Sequence, residues 1–348
     1  MSAVLSDSLP VTVVVGAGLA AWSLVRELRQ RDVAMPLTVI CADSGDFYSK
    51  PMLSNALAMK KTPETLLQTA AVEQARKFNV TLLPFTSVES IEREQKRVTT
   101  SAGEVFYTNL VLALGADPIR LCTPGIEHSL TVNDLVDYGR FRQALEQRGT
   151  QAKIVILGAG LIGSEFANDL AHVGYSVSIV DPGCWPLSRL LTQAQGKEMQ
   201  SALEALGVRY YFEQTAQSIV PAPEGYWVGL TSGERIAADL VLSAVGLQSR
   251  TKLAQQAGLT VSRGIVVNRY GRTEDPHIYA LGDCAAYIHT LADEHTPATY
   301  RVMPYVLPLM SAAKALAGTL TGTPKEIEFA AWSVRVKTPA YPVAIATA

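Results

Sequence analysis

Cysteine is scarce in this chain of 348 residues, and none of it is paired in sequence. Cys41, Cys122, Cys184 and Cys284 form no C-x-x-C and no C-x4-C. That argues against a disulfide framework, a zinc site and an internal redox dithiol, and it fits a reducing cytoplasm. Charge imbalance is also missing: 30 Lys and Arg against 32 Asp and Glu leave a net charge of −2. Such a balance gives no reason to expect a nucleic acid or an anionic membrane as partner. Long apolar runs are absent, because the best stretches are broken by Gly or Pro, as in VMPYVLPLM. None reaches the roughly 18 residues needed to span a bilayer. The opening MSAVLSDSLP has neither a basic nor an apolar segment, so no secretory signal is expected and a cytoplasmic location is.

What is there is the composition of a folded protein, 48% hydrophobic and 18% charged, with length enough for two or three domains. One local pattern occurs twice. VTVVV at 11–15 reads as a buried strand, GAGLAA turns, AWSLVRELRQR has helical spacing, and LTVICAD at 37–43 is a second strand. Residues 153–181, KIVILGAGLIGSEFANDLAHVGYSVSIVD, repeat the arrangement, with Gly174 as the helix stop. Gly16 and Gly158 stand where a strand must turn sharply into a helix. Gly18 and Gly160 leave the backbone open to a pyrophosphate, and Ala21 and Gly163 let helix and strand pack closely. The diphosphate is expected on unpaired N–H groups at the positive end of the helix dipole. Asp43 and Asp181 follow at the ends of the second strands, where a carboxylate holds ribose hydroxyls. At Asp181 it would also repel a 2′-phosphate, which favours NADH over NADPH. One such loop is weak evidence, but two in full strand–turn–helix–strand context predict two dinucleotide sites.

Further stretches carry a resemblance. LVLALGADP (110–118), RTEDPHIYALGD (272–283), YSKPMLS (48–54), SAVGL, GIVVNRYGRT, YVLPLM and VKTPAYP are similar to motifs of the two-dinucleotide-domain flavoproteins. Within them the pattern Y-x-[KR]-P-x-L-S resembles the ferredoxin and rubredoxin reductase branch. The resemblance covers nearly the whole chain. It implies an α/β fold of two Rossmann-like domains: a discontinuous FAD domain at 1–118 and 247–324, an NAD domain at 119–246, and the start of a C-terminal interface domain at 325–348. The chain stops soon after VKTPAYP, where more of that domain is expected, so truncation is one expectation. The FAD site implied is Gly16, Gly18, Leu19, Ala20, Asp43, Lys50, Pro51, Val88, Ala113, Gly115, Arg120, Gly282, Asp283 and Lys337. The NAD site implied is Gly158, Gly160, Leu161, Ile162, Glu165, Asp181 and Gly246.

Lys50 is expected beside the isoalloxazine, paired with Glu165, since a cation there would suffer desolvation alone. Asp283 is expected on the ribityl chain; the bland alternative is a helix N-cap, which is compatible with that role. The resemblance implies an enzyme that oxidises NADH through FAD and passes single electrons to rubredoxin, a small acidic iron protein. Alternatives are a reductase of flavorubredoxin, a reductase of a [2Fe–2S] ferredoxin, or a flavin- and NADH-binding redox sensor. A monomer is expected. His289, Asp293, Glu294 and His295 lie in the segment 285–301 and have ligating side chains, but a solvated polar loop is the preferred reading and no metal is expected.

Overall fold

The structure is a computed structural model and describes residues 11–290 and 298–347. The chain folds into two compact units. Of the described residues, unit 1 holds 11–48, 67–117, 248–290 and 298–332; unit 2 holds 49–66, 118–247 and 333–347.

In unit 1, β1 (Thr12–Val15) leads through the first glycine loop into α1 (Leu19–Arg31) and on to β2 (Leu37–Ile40). β3 (Thr81–Leu83) and β4 (Asn109–Leu112) follow. Between β3 and β4 lies an antiparallel meander of three strands, Val88–Glu92, Arg97–Thr100 and Gly103–Phe106. In unit 2 the same plan recurs. β5 (Lys153–Leu157) turns into α2 (Leu161–His172), then come β6 (Ser176–Asp181), β7 (Arg209–Phe212) and β8 (Leu240–Ser243). Between β7 and β8 stands the second meander, Ala216–Pro221, Tyr226–Leu230 and Arg235–Ala238. The chain returns to unit 1 with β9 (Ile278–Ala280) and α3 (Val306–Leu320).

The sheet of unit 1 runs in the order β9-β4-β1-β2-β3, and that of unit 2 in the order β7-β6-β5-β8. The pairings within them are parallel, with Thr12 opposite Leu37 and Asn109, and Ile154 opposite Val177 and Leu240. Parallel strands covered on both faces read as unbroken apolar runs, and the four residues of β1 are all buried. α1 buries Trp22, Leu24, Val25 and Leu28 in the core of unit 1. Its last turn carries Arg29 and Arg31, the sign that suits a helix C-terminus. In unit 2, Phe141 and Phe166 meet edge to face at 5.6 Å; burying each side chain stabilises by about 2–3 kcal/mol.

The structure departs from the sequence reading in several places. The segment 49–66, counted with the first domain in sequence, packs in unit 2, where Leu57 joins the core. Residues 333–347 also belong to unit 2, and the tail is a hairpin of Trp332–Val336 with Val343–Thr347 rather than one strand and a Pro-rich end. Val336 and Ile345 place its apolar side in that unit's core. The stretch expected as a polar loop at 285–301 contains paired antiparallel strands, Ala285–Thr290 and Thr299–Val302. A run of buried residues at the start of the first strand, Ala285, Ala286 and Tyr287, accounts for that. His289 is exposed on this strand, while Asp293, Glu294 and His295 lie outside the described residues. Among the described residues no cluster of His, Cys, Asp or Glu is arranged to hold a metal. Nor, among them, is any helix long and apolar enough to cross a membrane.

Candidate cofactor sites

Each glycine loop sits at the carboxyl edge of its own parallel sheet, where open α/β sheets bind ligands. Gly16 has φ +111° and Gly158 has φ +102°, which only glycine adopts without strain. A Cβ on Gly16 would lie 2.2 Å from the Ala113 carbonyl oxygen, and one on Gly158 2.7 Å from that of Ala244. Gly18 caps α1 at φ −77°, ψ −171° and Gly160 caps α2 at φ −73°, ψ −171°, neither with a side-chain cap. Around both, nothing stands within 4 Å of the place a Cβ would occupy. The helix starts therefore combine orphan N–H groups with open space, which is the cradle a diphosphate requires. Gly163 has the third duty, since a Cβ there would strike the Gly158 oxygen at 1.9 Å.

The ribose-side carboxylates take different local roles. Asp181 accepts from the Ala159 N–H at 2.6 Å and the Gly183 N–H at 2.7 Å, so it braces the glycine loop of its own unit. Asp43 is exposed and accepts from the Gly45 N–H at 2.9 Å.

Unit 1 gathers most of the expected FAD residues near its strand ends. Leu19 and Ala20 open α1, and Ala20 faces Gly282, whose Cβ would come within 2.9 Å of it. Gly282 has φ +77° and donates its N–H to the Tyr287 hydroxyl at 3.1 Å. Asp283 follows in a single 3-10 turn, Gly282–Cys284. Its carbonyl accepts from the Ser249 hydroxyl at 2.6 Å. A strand and not an α-helix follows that turn, so the alternative reading of Asp283 as an α-helix N-cap does not apply. Ala113 is buried at the end of β4, and Gly115 has φ +74°. Val88 begins the first meander and is half-buried. Arg250, which the sequence did not single out, holds the second motif: its N–H donates to the Gly115 oxygen at 3.0 Å and its guanidinium reaches the Leu114 oxygen at 3.1 Å and Asp117 at 2.6 Å.

The remaining expected FAD residues, Lys50, Pro51, Arg120 and Lys337, belong to unit 2. Lys50 and Pro51 open a 3-10 helix, Lys50–Asn55, with the proline at its start. Lys50 is half-buried; burial raises the Asp137 carboxyl, and the Lys50 charge works weakly against that rise. Arg120 is exposed. Of the NAD residues, Leu161 and Ile162 open α2, with Ile162 exposed, and Gly246 has φ +115° and accepts from the Ile119 N–H at 3.0 Å.

Glu165 is 3% exposed. It accepts from the Ser54 hydroxyl at 2.5 Å, from the Lys337 N–H at 3.0 Å and from the Lys337 ammonium. Lys50 is the cation expected beside Glu165 from sequence, and the Lys337 ammonium reaches that carboxylate. Beside Glu165 on α2, Ser164, Asn168 and Asp169 are also buried. Asn168 accepts from the Ala340 N–H at 3.1 Å, and Asp169 from the Leu57 and Ala58 N–H groups at 2.9 and 3.0 Å. Burial pushes the Asp169 carboxyl up to about 6, against the pull of those two amides. The signal for this cluster was present in sequence as four polar residues at positions one and four apart on a helix, which share a face.

The family model described as pyridine nucleotide-disulphide oxidoreductase matches residues 11–305. A rubredoxin-NAD(+) reductase of Alcanivorax borkumensis is 41% identical over 97% of this chain and 85% of its own length. A nitric oxide reductase FlRd-NAD(+) reductase of Aeromonas hydrophila is 38% identical, covering 96% of this chain and 83% of its own. Among solved structures, the covalent putidaredoxin reductase–putidaredoxin complex matches with a TM-score of 0.85 at 26% identity, over 96% of this chain and 80% of that one.

Proposed function

This chain belongs to the pyridine nucleotide-disulphide oxidoreductase family, and on that premise we propose that it is an FAD flavoprotein that oxidises NADH and passes single electrons to a rubredoxin. The observation that carries the reading is the pair of open cradles at Gly18 and Gly160, taken with the relatives named rubredoxin-NAD(+) reductase. FAD, when bound, takes two electrons as hydride and gives them up singly to an iron acceptor. Unit 1 binds it: α1 receives the diphosphate at Gly18, Asp43 takes the ribose, and Asp283 the ribityl chain. Unit 2 binds NADH at Gly160, with Asp181 on the adenosine ribose. Lys50 supplies positive charge within unit 2, and Glu165 fixes the flanking segments through Ser54 and Lys337. The protein's work is positioning and electrostatics, and no side chain acts as a nucleophile. All four cysteines are free, which supports direct transfer without a dithiol relay and a place in the cytoplasm.

A second reading, with flavorubredoxin as acceptor, is favoured by the relatives of Aeromonas hydrophila and others named FlRd-NAD(+) reductase. The test compares NADH-driven cytochrome c reduction with rubredoxin, with the rubredoxin domain of a flavorubredoxin, with a [2Fe–2S] ferredoxin and with none, NADPH running in parallel. A steep rise with rubredoxin and NADH is expected. A rise with ferredoxin alone overturns the acceptor assignment.

A further inference from the structure

After its third parallel strand each unit turns through one non-glycine residue in the left-handed region. In unit 1 it is Phe85 at φ +51°, and in unit 2 Glu213 at φ +57°. The surrounding bonds correspond. The Phe85 N–H donates to the Asp43 oxygen at 2.9 Å and the Thr86 N–H to the Cys41 oxygen at 2.8 Å. The Glu213 N–H donates to the Gly183 oxygen at 3.0 Å and the Gln214 N–H to the Asp181 oxygen at 3.2 Å. This internal repeat separates two causes. The backbone conformation recurs, so it belongs to the fold. The side chain does not recur, so the fold does not dictate it.

Glycine or asparagine fills a left-handed position at least cost, and a bulky aromatic there is an outlier. Phe85 is nevertheless present and 74% exposed, outside the core of its unit. Nothing in packing explains it. Its position does. Neighbouring strand ends lie about 4.8 Å apart, and β1, β2 and β3 are successive neighbours in the sheet. Gly18 follows β1, Asp43 follows β2 and Phe85 follows β3. A dinucleotide with its diphosphate at Gly18 and its ribose on Asp43 continues across the end of β3 with its adenine. In unit 2, where Glu213 holds the equivalent place, the carboxylate lies 3.9 Å from the Cys184 sulfur in the turn after Asp181, and it offers no face for stacking.

We propose that Phe85 is a cofactor-binding residue whose ring lies against the adenine of the FAD held by unit 1. The inference rests on the FAD reading of that unit. An apolar ring face exposed to water gains most when a purine covers it, and such stacking is sequence-tolerant and strong. Removing the ring is expected to weaken FAD binding roughly tenfold to a hundredfold.

The experiment measures the dissociation constant of FAD on re-addition to the deflavinated full-length chain. The variants are Phe85→Ala, Phe85→Tyr and Phe85→Gly, and the melting temperature of each apoprotein is recorded alongside. Phe85→Gly relieves the backbone strain, so its apoprotein is expected to melt no lower than the wild type by more than a few degrees while its FAD constant rises at least tenfold. Phe85→Tyr keeps a ring and is expected within threefold of wild type. Binding by Phe85→Ala and Phe85→Gly within twofold of wild type overturns the proposal and leaves the FAD reading standing. A wild-type chain that takes up no FAD overturns both.

Discussion

Asp169 is a carboxylate with almost no access to water, and its two backbone donors decide what it does. Its folded pKa, pushed up to about 6, lies above the unfolded value of 3.8. A group raised on folding contributes its stability in full below the unfolded value, and that contribution is lost as pH rises through the folded one. Chemical denaturation of the wild type and of Asp169→Asn at pH 4 and pH 7 checks this. The stability difference between them is expected to shift against the wild type on going to pH 7, by about 2 kcal/mol. A difference independent of pH would mean that folding leaves the affinity of this carboxyl for its proton unchanged. Asp181 and Glu165 were legible in sequence because each has a fixed place relative to a glycine loop. The partners of Glu165 and Asp169 were not. Lys337 is 172 positions from Glu165, and Leu57 is 112 from Asp169, and no local pattern encodes pairings of that range.

At the scale of elements, α2 has two functions on one short cylinder. Its N-cap is Gly160, and its buried polar stripe holds two distant pieces of chain, 49–66 and the C-terminal hairpin. The hairpin depends on the ion pair, because a carboxylate buried without its cation is heavily penalised. Lys337→Met is expected to cost about 3–5 kcal/mol in urea unfolding, and adding Glu165→Gln to it should recover part of that loss by removing the orphaned charge while keeping an acceptor for Ser54 and the backbone N–H of residue 337. A double variant no more stable than the single one would place the cost elsewhere. The strand–loop–helix–strand cores were readable from apolar runs and glycine spacing. The membership of 49–66 was not, because what ties it to unit 2 is the satisfaction of its backbone amides by side chains of a helix remote in sequence.

For the molecule as a whole, the repeat predicts two sites that can be disabled one at a time. Gly18 and Gly160 have ordinary φ and open surroundings, so alanine at either is compatible with the fold and intrudes only on a bound diphosphate. Gly160→Ala is expected to stay yellow, to bleach with dithionite, and to raise the KM for NADH at least tenfold, an effect of ~1.4 kcal/mol or more. Gly18→Ala is expected to lose flavin while still binding NADH by fluorescence titration. Loss of flavin from Gly160→Ala would contradict the allocation of cofactors to the units.

The interleaving of the chain has a consequence for its synthesis. β9, the edge strand of the first sheet, lies beyond the whole of 118–247 in sequence. At ~5–20 residues per second, the nascent chain waits on the order of ten seconds between the emergence of β4 and that of β9. Throughout that interval the edge of β4 has no neighbour to take its hydrogen bonds. The second unit starts earlier in time than the first can close, yet its hairpin follows β9 in sequence. Neither half can be finished before the other is under way, so a ribosome-bound intermediate with an open parallel edge is built into the order of the gene.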